Sequence, residues 1–496
     1  MSYEKILTKS KYVLGLQCLK SLWISFHEKE KVPEASAELQ NRFDQGHIVG
    51  SFAKKLFPEG IEVGQRDFNE NIRISKELLL KRKPLFEAGF LFDRIYSRAD
   101  ILIPVNKDEW DIIEVKSSTD IKEEHIHDVS FQRYCYEKAG LKVRNCFLMH
   151  INNQYVRNGE IEPKKLFISK DITIEVQKAS IKIEDRINLM LQIISNKNSP
   201  EHCKNFSNCP LPEQCWGFLP KNHVFNLYYG GKKCLELFSN GVLAIKDIPN
   251  NFKLSDKQQI QFDCEISNKA YVNKEAIKEF LLEKKYPLHF LDFETYSLPI
   301  PLIDGIRPYQ KVPFQFSLHI KKSPESKIEH YGFLAQENGD PRIQFMDYLK
   351  KFILDEGSIF AFNDSFEISV LKDQAKNIQD YSKWVESLLP RFIDLLKPFK
   401  NFHYYHPEQQ GSASIKKVLP AMTGKSYEDM EIAGGGDASA LFLAITLGEL
   451  SKKEIKEIRN NLEKYCTLDT EAMILIMEEL EKLVKGEKIT VQTKLK

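Results

Sequence analysis

Two short runs early in the chain alternate or cluster apolar residues as strands do. RADILIPV and WDIIEVKSS flank the turn-prone NKDE, so together they predict a hairpin. The next stretch, HDVSFQRYCYEKAG, changes period. Its apolar and aromatic residues fall at helical spacing and it ends on a glycine suited to a C-cap, predicting a helix. FDQGHIVGSFAKKLFPEG upstream also reads as helical. Far downstream, LHFLDFET and FQFSLHI read as strands, and LEKYCTLDTEAMILIMEELEKL as a long amphipathic helix. Both large segments are therefore expected to be α/β.

Punctuation divides the chain further. Residues 1–220 close on the Cys- and Pro-containing CKNFSNCPLPEQCWGFLP. Residues 221–285 are Lys-rich and predicted helical, with Gly pairs and a Pro breaking short amphipathic runs. Residues 286–483 open with YPLHFLDFET, and 484–496 read as a tail.

Composition narrows the function classes. The 496 residues carry 71 Lys plus Arg against 70 Asp plus Glu. No global field steers this chain to nucleic acid or membrane, so any such surface must be local. No apolar run approaches the roughly 18–20 residues that cross a bilayer. The start, MSYEKILTKSKYVLGLQC, has no secretory-signal pattern, which predicts a cytoplasmic protein without a membrane partner. In that compartment the nine cysteines are expected to be reduced. Cys203, Cys209 and Cys215 form C-x5-C-x5-C, while Cys18 stands alone near the start.

Asp100 lies in the first hairpin strand, and Glu114 and Lys116 lie in the second. Residues two apart on a strand share a face, so Glu114 and Lys116 project together and pairing can bring Asp100 beside them. Two carboxylates suit Mg²⁺ or Mn²⁺, and a neighbouring lysine can activate water or balance phosphate charge. An E-x-K triplet is common in any sequence, but this one has company. Gln132 and Tyr136 follow one helical turn apart, and His47 precedes. The arrangement His47, Asp100, Glu114-x-Lys116, Gln132-x-x-x-Tyr136 resembles the RecB-like branch of the PD-(D/E)xK nucleases. That resemblance implies metal binding by His47, Asp100 and Glu114, catalysis assisted by Lys116, and a helix carrying Gln132 and Tyr136. Ala99 stands where the family commonly has Gly.

Four thiolates suit a [4Fe–4S] cluster or a tetrahedral zinc. One distant cysteine, Cys18, with three late ones, Cys203, Cys209 and Cys215, resembles the iron–sulfur nucleases of the CRISPR-associated RecB-like and AddB types. The implied cluster ties the start of that domain to its end.

A third constellation sits in 286–483. Asp292 and Glu294 share a strand face, and Tyr465 and Asp469 stack one turn apart on a helix. With FNDSFEISVL between them, these blocks resemble the DEDD exonucleases of the ribonuclease-H-like superfamily. The implied metal ligands are Asp292, Glu294, Glu367 and Asp469, with Tyr465 positioning the attacking water. Glu367 departs from the family's Asp, and Asp364 is an alternative in the wrong register. GSASIKKVLP reads as a loop entering a helix whose N-terminus can hold a phosphate, or as a plain capped helix. ELFSNGVLAIKDIP resembles a degenerate helix–hairpin–helix.

Nearly the whole chain resembles a bacterial family that joins a RecB-like iron–sulfur nuclease to a DEDD exonuclease-like domain. LTKSKYVLGLQCLKSLW, FLDFET and YCTLDTEAM carry that likeness most specifically. It implies a metal-dependent nuclease, an exonuclease on single-stranded or unwound DNA ends, in repair, recombination or defence. RNA is the alternative substrate. The rival reading is a nucleic-acid-binding or scaffolding protein with one or both sites inactive.

Overall fold

The computed structural model describes residues 5–64, 67–201, 206–337, 339–428, 430–432, 434–448 and 450–487. Cys203 lies outside them. The chain is mixed α/β and divides into two units, 1–217 with 298–310, and 218–297 with 311–496. Segment 221–285 thus belongs with most of 286–483 in a single unit. Among the described residues, no helix is long and apolar enough to cross a membrane.

Unit 1 is built on a seven-stranded sheet. Its strands are β1 (Leu7–Thr8), β2 (Ile61–Glu62), β3 (Leu85–Phe92), β4 (Ile95–Val105), β5 (Glu109–Lys116), β6 (Lys142–Ile151) and β7 (Phe167–Asp171). They run in the order β2-β3-β4-β5-β6-β7, with β1 beside β4. The hairpin β4–β5 is antiparallel and turns through Asn106 at φ 49°. Five helices matter to the site: α1 (Lys9–Gln17), α2 (Leu19–His27), α3 (Ala37–Lys54), α4 (Phe68–Leu78) and α5 (Glu123–Lys138). Alternation along β5 sends Ile112 into the core shared with α5 and Ile113 into a second core shared with Val49 and Ala53 of α3. The inserted stretch 298–310 joins this second core through Ile300. Arg157 fastens it by donating to the Pro301 and Leu302 carbonyls.

Unit 2 opens with the helices α6 (Lys232–Ser239), α7 (Asp256–Ser267) and α8 (Lys274–Leu282). Its sheet has five strands, β8 (Leu288–Tyr296), β9 (Val312–Lys321), β10 (Ile328–Leu334), β11 (Ser358–Ala361) and β12 (Phe392–Asp394). Their order is β10-β9-β8-β11-β12. β9 runs antiparallel to both β10 and β8, and the last two strands run parallel to β8. The helices that follow are α9 (Ser365–Asn377), α10 (Ile415–Thr423), α11 (Gly435–Leu447) and α12 (Lys452–Lys485).

Strand β8 is central and covered on both faces. Leu291 and Phe293 face a core with Phe345 and Val370. Leu288 and Phe290 face Met473, Ile476, Met477 and Leu480 of α12. That two-residue period carries Asp292 and Glu294 onto the α12 side. On α12 the buried stripe Leu462, Tyr465, Asp469, Met473, Ile476, Leu480 repeats every three or four residues, as a packed helix face must. Asp469 therefore takes the place of an apolar residue within that stripe.

Candidate functional site

In unit 1 the E-x-K pair is internally neutralised. Glu114 is 2% exposed. Lys9, the first residue of α1, reaches its Oε1 at 2.7 Å, and Lys116 reaches the same oxygen at 2.8 Å. Lys116 also pairs with Asp128 on α5. Gln132 donates to Glu114 Oε2 at 3.3 Å and to the Arg98 carbonyl at 2.9 Å. Tyr136 is wholly buried. Its hydroxyl accepts from the Ala99 amide at 2.7 Å and donates to the Ala88 carbonyl, pinning β3 to β4 next to Asp100. Asp100 Oδ2 accepts from the Val115 amide at 2.7 Å.

The electrostatics follow from this packing. Burial, reinforced by Glu114, pushes Asp100 up to about 7. Burial also acts on Glu114, but Lys116 and Lys9 outweigh it and hold that carboxyl well below its usual range. Lys9 stays up at about 12, because Asp128, Glu114 and Asp100 overcome its desolvation. Three acids thus face two ammonium groups, and every oxygen of Glu114 has a donor. His47 is exposed on α3. Among the described residues, it forms no set with Asp100 and Glu114 whose ligand atoms all lie within 4.8 Å of one another. Asp100, Glu114, Lys116, Gln132 and Tyr136 are brought together, while His47 stands exposed on α3 outside any such tight ligand set. As they stand, these residues do not fit a divalent ion.

Cysteines gather at the α1–α2 junction. Cys18 is buried there, and its sulfur accepts from the Ser21 amide at 3.4 Å. Gln17 beside it donates to the Asn208 carbonyl at 3.0 Å, which brings the late cysteines to the start of the chain. Burial, with the Cys209 thiol against it and Cys18 nearby, pushes Cys215 up to about 11. The three described thiols are spread more widely than the 4.8 Å that defines a tight ligand set. They remain of a kind that iron–sulfur or zinc chemistry uses.

Unit 2 holds the tighter cluster. Ligand atoms of Asp292, Glu294 and Asp469 all lie within 4.8 Å of one another, the only such set of three among the described residues. Glu367, in the first turn of α9, is 3% exposed, and its Oε2 has no hydrogen-bond partner. Its charge acts on Asp292, so it faces this cluster, and Asp364 stands further out. Tyr427 donates to Asp469 Oδ1 at 2.7 Å. Tyr465, one turn before Asp469, is buried beside it. The Cys466 thiol donates to Asp292 Oδ2 at 3.6 Å. Gly435 begins α11 so close that a Cβ there meets Glu294 Oε2 at 3.4 Å.

Crowded, buried acids resist ionisation. Burial and then Asp469 push Glu294 up to about 8. Burial, Asp364 and Glu294 do the same to Glu367, also to about 8. Asp292 is driven well above its ordinary range by burial and by Asp469, Glu294 and Glu367. Asp469 rises less, to about 6, because Tyr427 and Lys416 offset part of its burial. Four carboxyls with one ammonium close by and an unpartnered buried oxygen are the donor set that hard divalent cations take. These residues fit Mg²⁺ or Mn²⁺.

Sequence reasoning named the acids and missed their partners. Lys9 reaches Glu114 from 105 residues upstream, and Asp128 on α5 pairs with Lys116 and Lys9; only the folded chain reveals these partners. Tyr427 carries no spacing signal toward Asp469. Lys416 lies inside GSASIKKVLP, the stretch read either as a phosphate-holding helix start or as a plain capped helix.

Comparison with known proteins covers part of this cluster, the stretch that holds Asp292, Glu294 and Glu367 but not Asp469. A family model described as a domain of unknown function (DUF2779) matches residues 289–414. The uncharacterized protein MG366 of Mycoplasma genitalium is 30% identical over 223 residues, 41% of this chain and 33% of that protein. Its Mycoplasma pneumoniae homolog is 28% identical over 222 residues, 40% and 32% of the two chains. The uncharacterized protein UU173 of Ureaplasma parvum is 23% identical over 256 residues, 47% and 36%. The chain spans about a third of the length of the curated relatives it matches.

Proposed function

We propose that this chain is a metal-dependent nuclease that hydrolyses phosphodiester bonds of DNA at single-stranded or unwound ends, in the manner of the DEDD exonucleases. The observation that carries the reading is the convergence of Asp292, Glu294 and Asp469, with the buried, unpartnered Glu367 facing them. A structural domain gains nothing from four crowded acids, whereas a nuclease needs them. Asp292, Glu294, Glu367 and Asp469 hold Mg²⁺ or Mn²⁺, which when bound supplies charge stabilisation and an activated water. Tyr465 orients that water, and Tyr427 holds Asp469 in place. The central acid-bearing strand and the helix that returns the last acid support a ribonuclease-H-like assignment for unit 2.

Unit 1 serves this activity differently. The strand-borne Asp100, Glu114 and Lys116, with Gln132 and Tyr136 behind them, support a PD-(D/E)xK-like assignment. Because Lys9 and Lys116 already neutralise Glu114, we assign unit 1 to holding nucleic acid rather than cutting it. The cysteines clip its first helices to its end around an iron–sulfur cluster or zinc.

The test is cleavage of an end-labelled single-stranded oligodeoxynucleotide by the full chain with Mn²⁺ or Mg²⁺, beside the same sequence as RNA. We expect metal-dependent cleavage of DNA that Asp292→Asn abolishes. Wild-type protein inert on both polymers, or a variant as active as wild type, overturns the reading.

A further inference from the structure

Holding nucleic acid requires a place for phosphate, and the acid-bearing hairpin of unit 1 supplies none. We propose that Lys11 and Lys29 form a phosphate site that holds the backbone of a single-stranded nucleic acid next to Asp100; this rests on the assignment of unit 1 to nucleic-acid binding and names the groups that do it.

Lys11 lies in the first turn of α1, and Lys29 opens the single helical turn Lys29–Lys31 that follows α2. Both line a cavity of about 470 Å³ together with Thr8, Ser25, Phe26 and Val32. Among the described residues that line it there is no carboxylate. The neighbouring lysines are ion-paired, Lys9 to Glu114 at 2.7 Å and Lys31 to Glu28 at 2.9 Å. Lys11 and Lys29 differ from them. Among the described residues, neither ammonium has an ion pair or a hydrogen-bond partner. Lys11 Nζ instead stands 5.6 Å from the Phe26 ring centre, a contact that leaves its charge intact. Burial and then the Lys29 charge hold the Lys11 ammonium below its ordinary range. Two like charges at one acid-free cavity repel each other, and an anion seated between them removes that cost.

The shape of the surroundings selects the anion. A cavity of this volume takes a group of about nucleotide size. Phe26 and Val32 give it an apolar wall for an unstacked base, which a single strand offers and a duplex does not. Thr8 also lines a second cavity, of about 320 Å³, with Lys9, Ser97, Arg98 and Asp100, so the two adjoin across that side chain. In the second cavity Ser97 is 1% exposed and its hydroxyl has no partner, an independent sign of a ligand there. A lone phosphate compound fills one cavity. A strand repeats its phosphate at every nucleotide and can occupy both.

The experiment follows binding of a fluorescein-labelled single-stranded oligodeoxynucleotide to the full chain by anisotropy, in EDTA so that metal-dependent cleavage does not intervene, across a salt series. Wild type is compared with Lys11→Met, Lys29→Met, the double variant and Lys31→Met. Each phosphate contact on a single strand contributes about 0.7 to the slope of log affinity against log salt. We expect the double variant to bind ~10-fold or more weakly at low salt and to lose roughly 1.4 in slope, with each single variant near half of that slope change. Lys31→Met should match wild type, because that lysine is already paired. Inorganic phosphate and a mononucleotide, at the concentration of oligonucleotide phosphate, should not displace the strand. A double variant within about twofold of wild type and unchanged in slope overturns the proposal. So does an equal loss in Lys31→Met, which marks a diffuse charge effect, and so does displacement by inorganic phosphate or the mononucleotide, which marks a site for a free phosphate compound. Failure of the underlying assignment shows separately, as absent binding by wild type.

Discussion

Replacing Asp292 with Asn should stabilise the metal-free protein while removing its response to metal. The sign comes from proton linkage. Glu294 titrates at about 8 in the fold against an ordinary 4.5, and Asp292 is raised well above its own ordinary range. The folded chain therefore binds more protons than the unfolded chain between those limits, and stability falls as pH rises through that window. At 1.36 kcal/mol per pH unit, one such group accounts for up to ~4–5 kcal/mol at pH 8 and almost nothing near pH 4. An amide needs neither the retained proton nor the buried charge. Sharing of protons among neighbours and loss of the Cys466 contact reduce the net gain to about 1–3 kcal/mol. For a unit of this size that is roughly 2–4 °C of melting temperature per kcal/mol. Differential scanning calorimetry in EDTA should show the variant melting above wild type at pH 8 and level with it near pH 4. Saturating Mn²⁺ should reverse the order, since binding at 100 times Kd adds ~2.7 kcal/mol to wild type only. A variant less stable than wild type at pH 8 in EDTA would falsify this account of the cluster.

Lys116→Ala removes a partner from two buried acids and leaves Asp128 with Lys9 at 3.9 Å; we expect about 1–3 kcal/mol of destabilisation in urea unfolding, and an unchanged midpoint would contradict the ion-paired core. Tyr465→Phe keeps the ring against Lys416 and removes the hydroxyl beside Asp469, so cleavage should fall by about 10-fold or more with Mn²⁺ affinity preserved; equal losses in both would exclude a water-positioning role. Anaerobically purified protein should be brown and absorb near ~400 nm, and Cys18→Ser should bleach it. Colourless protein with one zinc per chain replaces the cluster and keeps the clip.

Much of this architecture is local and therefore legible along the chain. The hairpin around NKDE, the strand LHFLDFET and the long final helix follow from two- and 3.6-residue periods, which backbone geometry imposes before any tertiary contact forms. The same periods put Asp292 with Glu294 and Tyr465 with Asp469, because residues sharing a face must project together. Partners hundreds of residues apart have no such rule. Lys9 on Glu114, Tyr427 on Asp469 and Lys416 over two tyrosines were decided by packing alone. So was the fate of His47, whose helix turns Val49 and Ala53 to the core and leaves the imidazole in solvent. Packing also drew 298–310 out of the second unit's sequence and into the first, where Ile300 is buried. The amino-acid sequence determined which acids could meet. Only the folded chain decided that lysines pair with one set and that the other gathers acids able to hold a cation, because that balance depends on charges brought close in space from distant points on the chain.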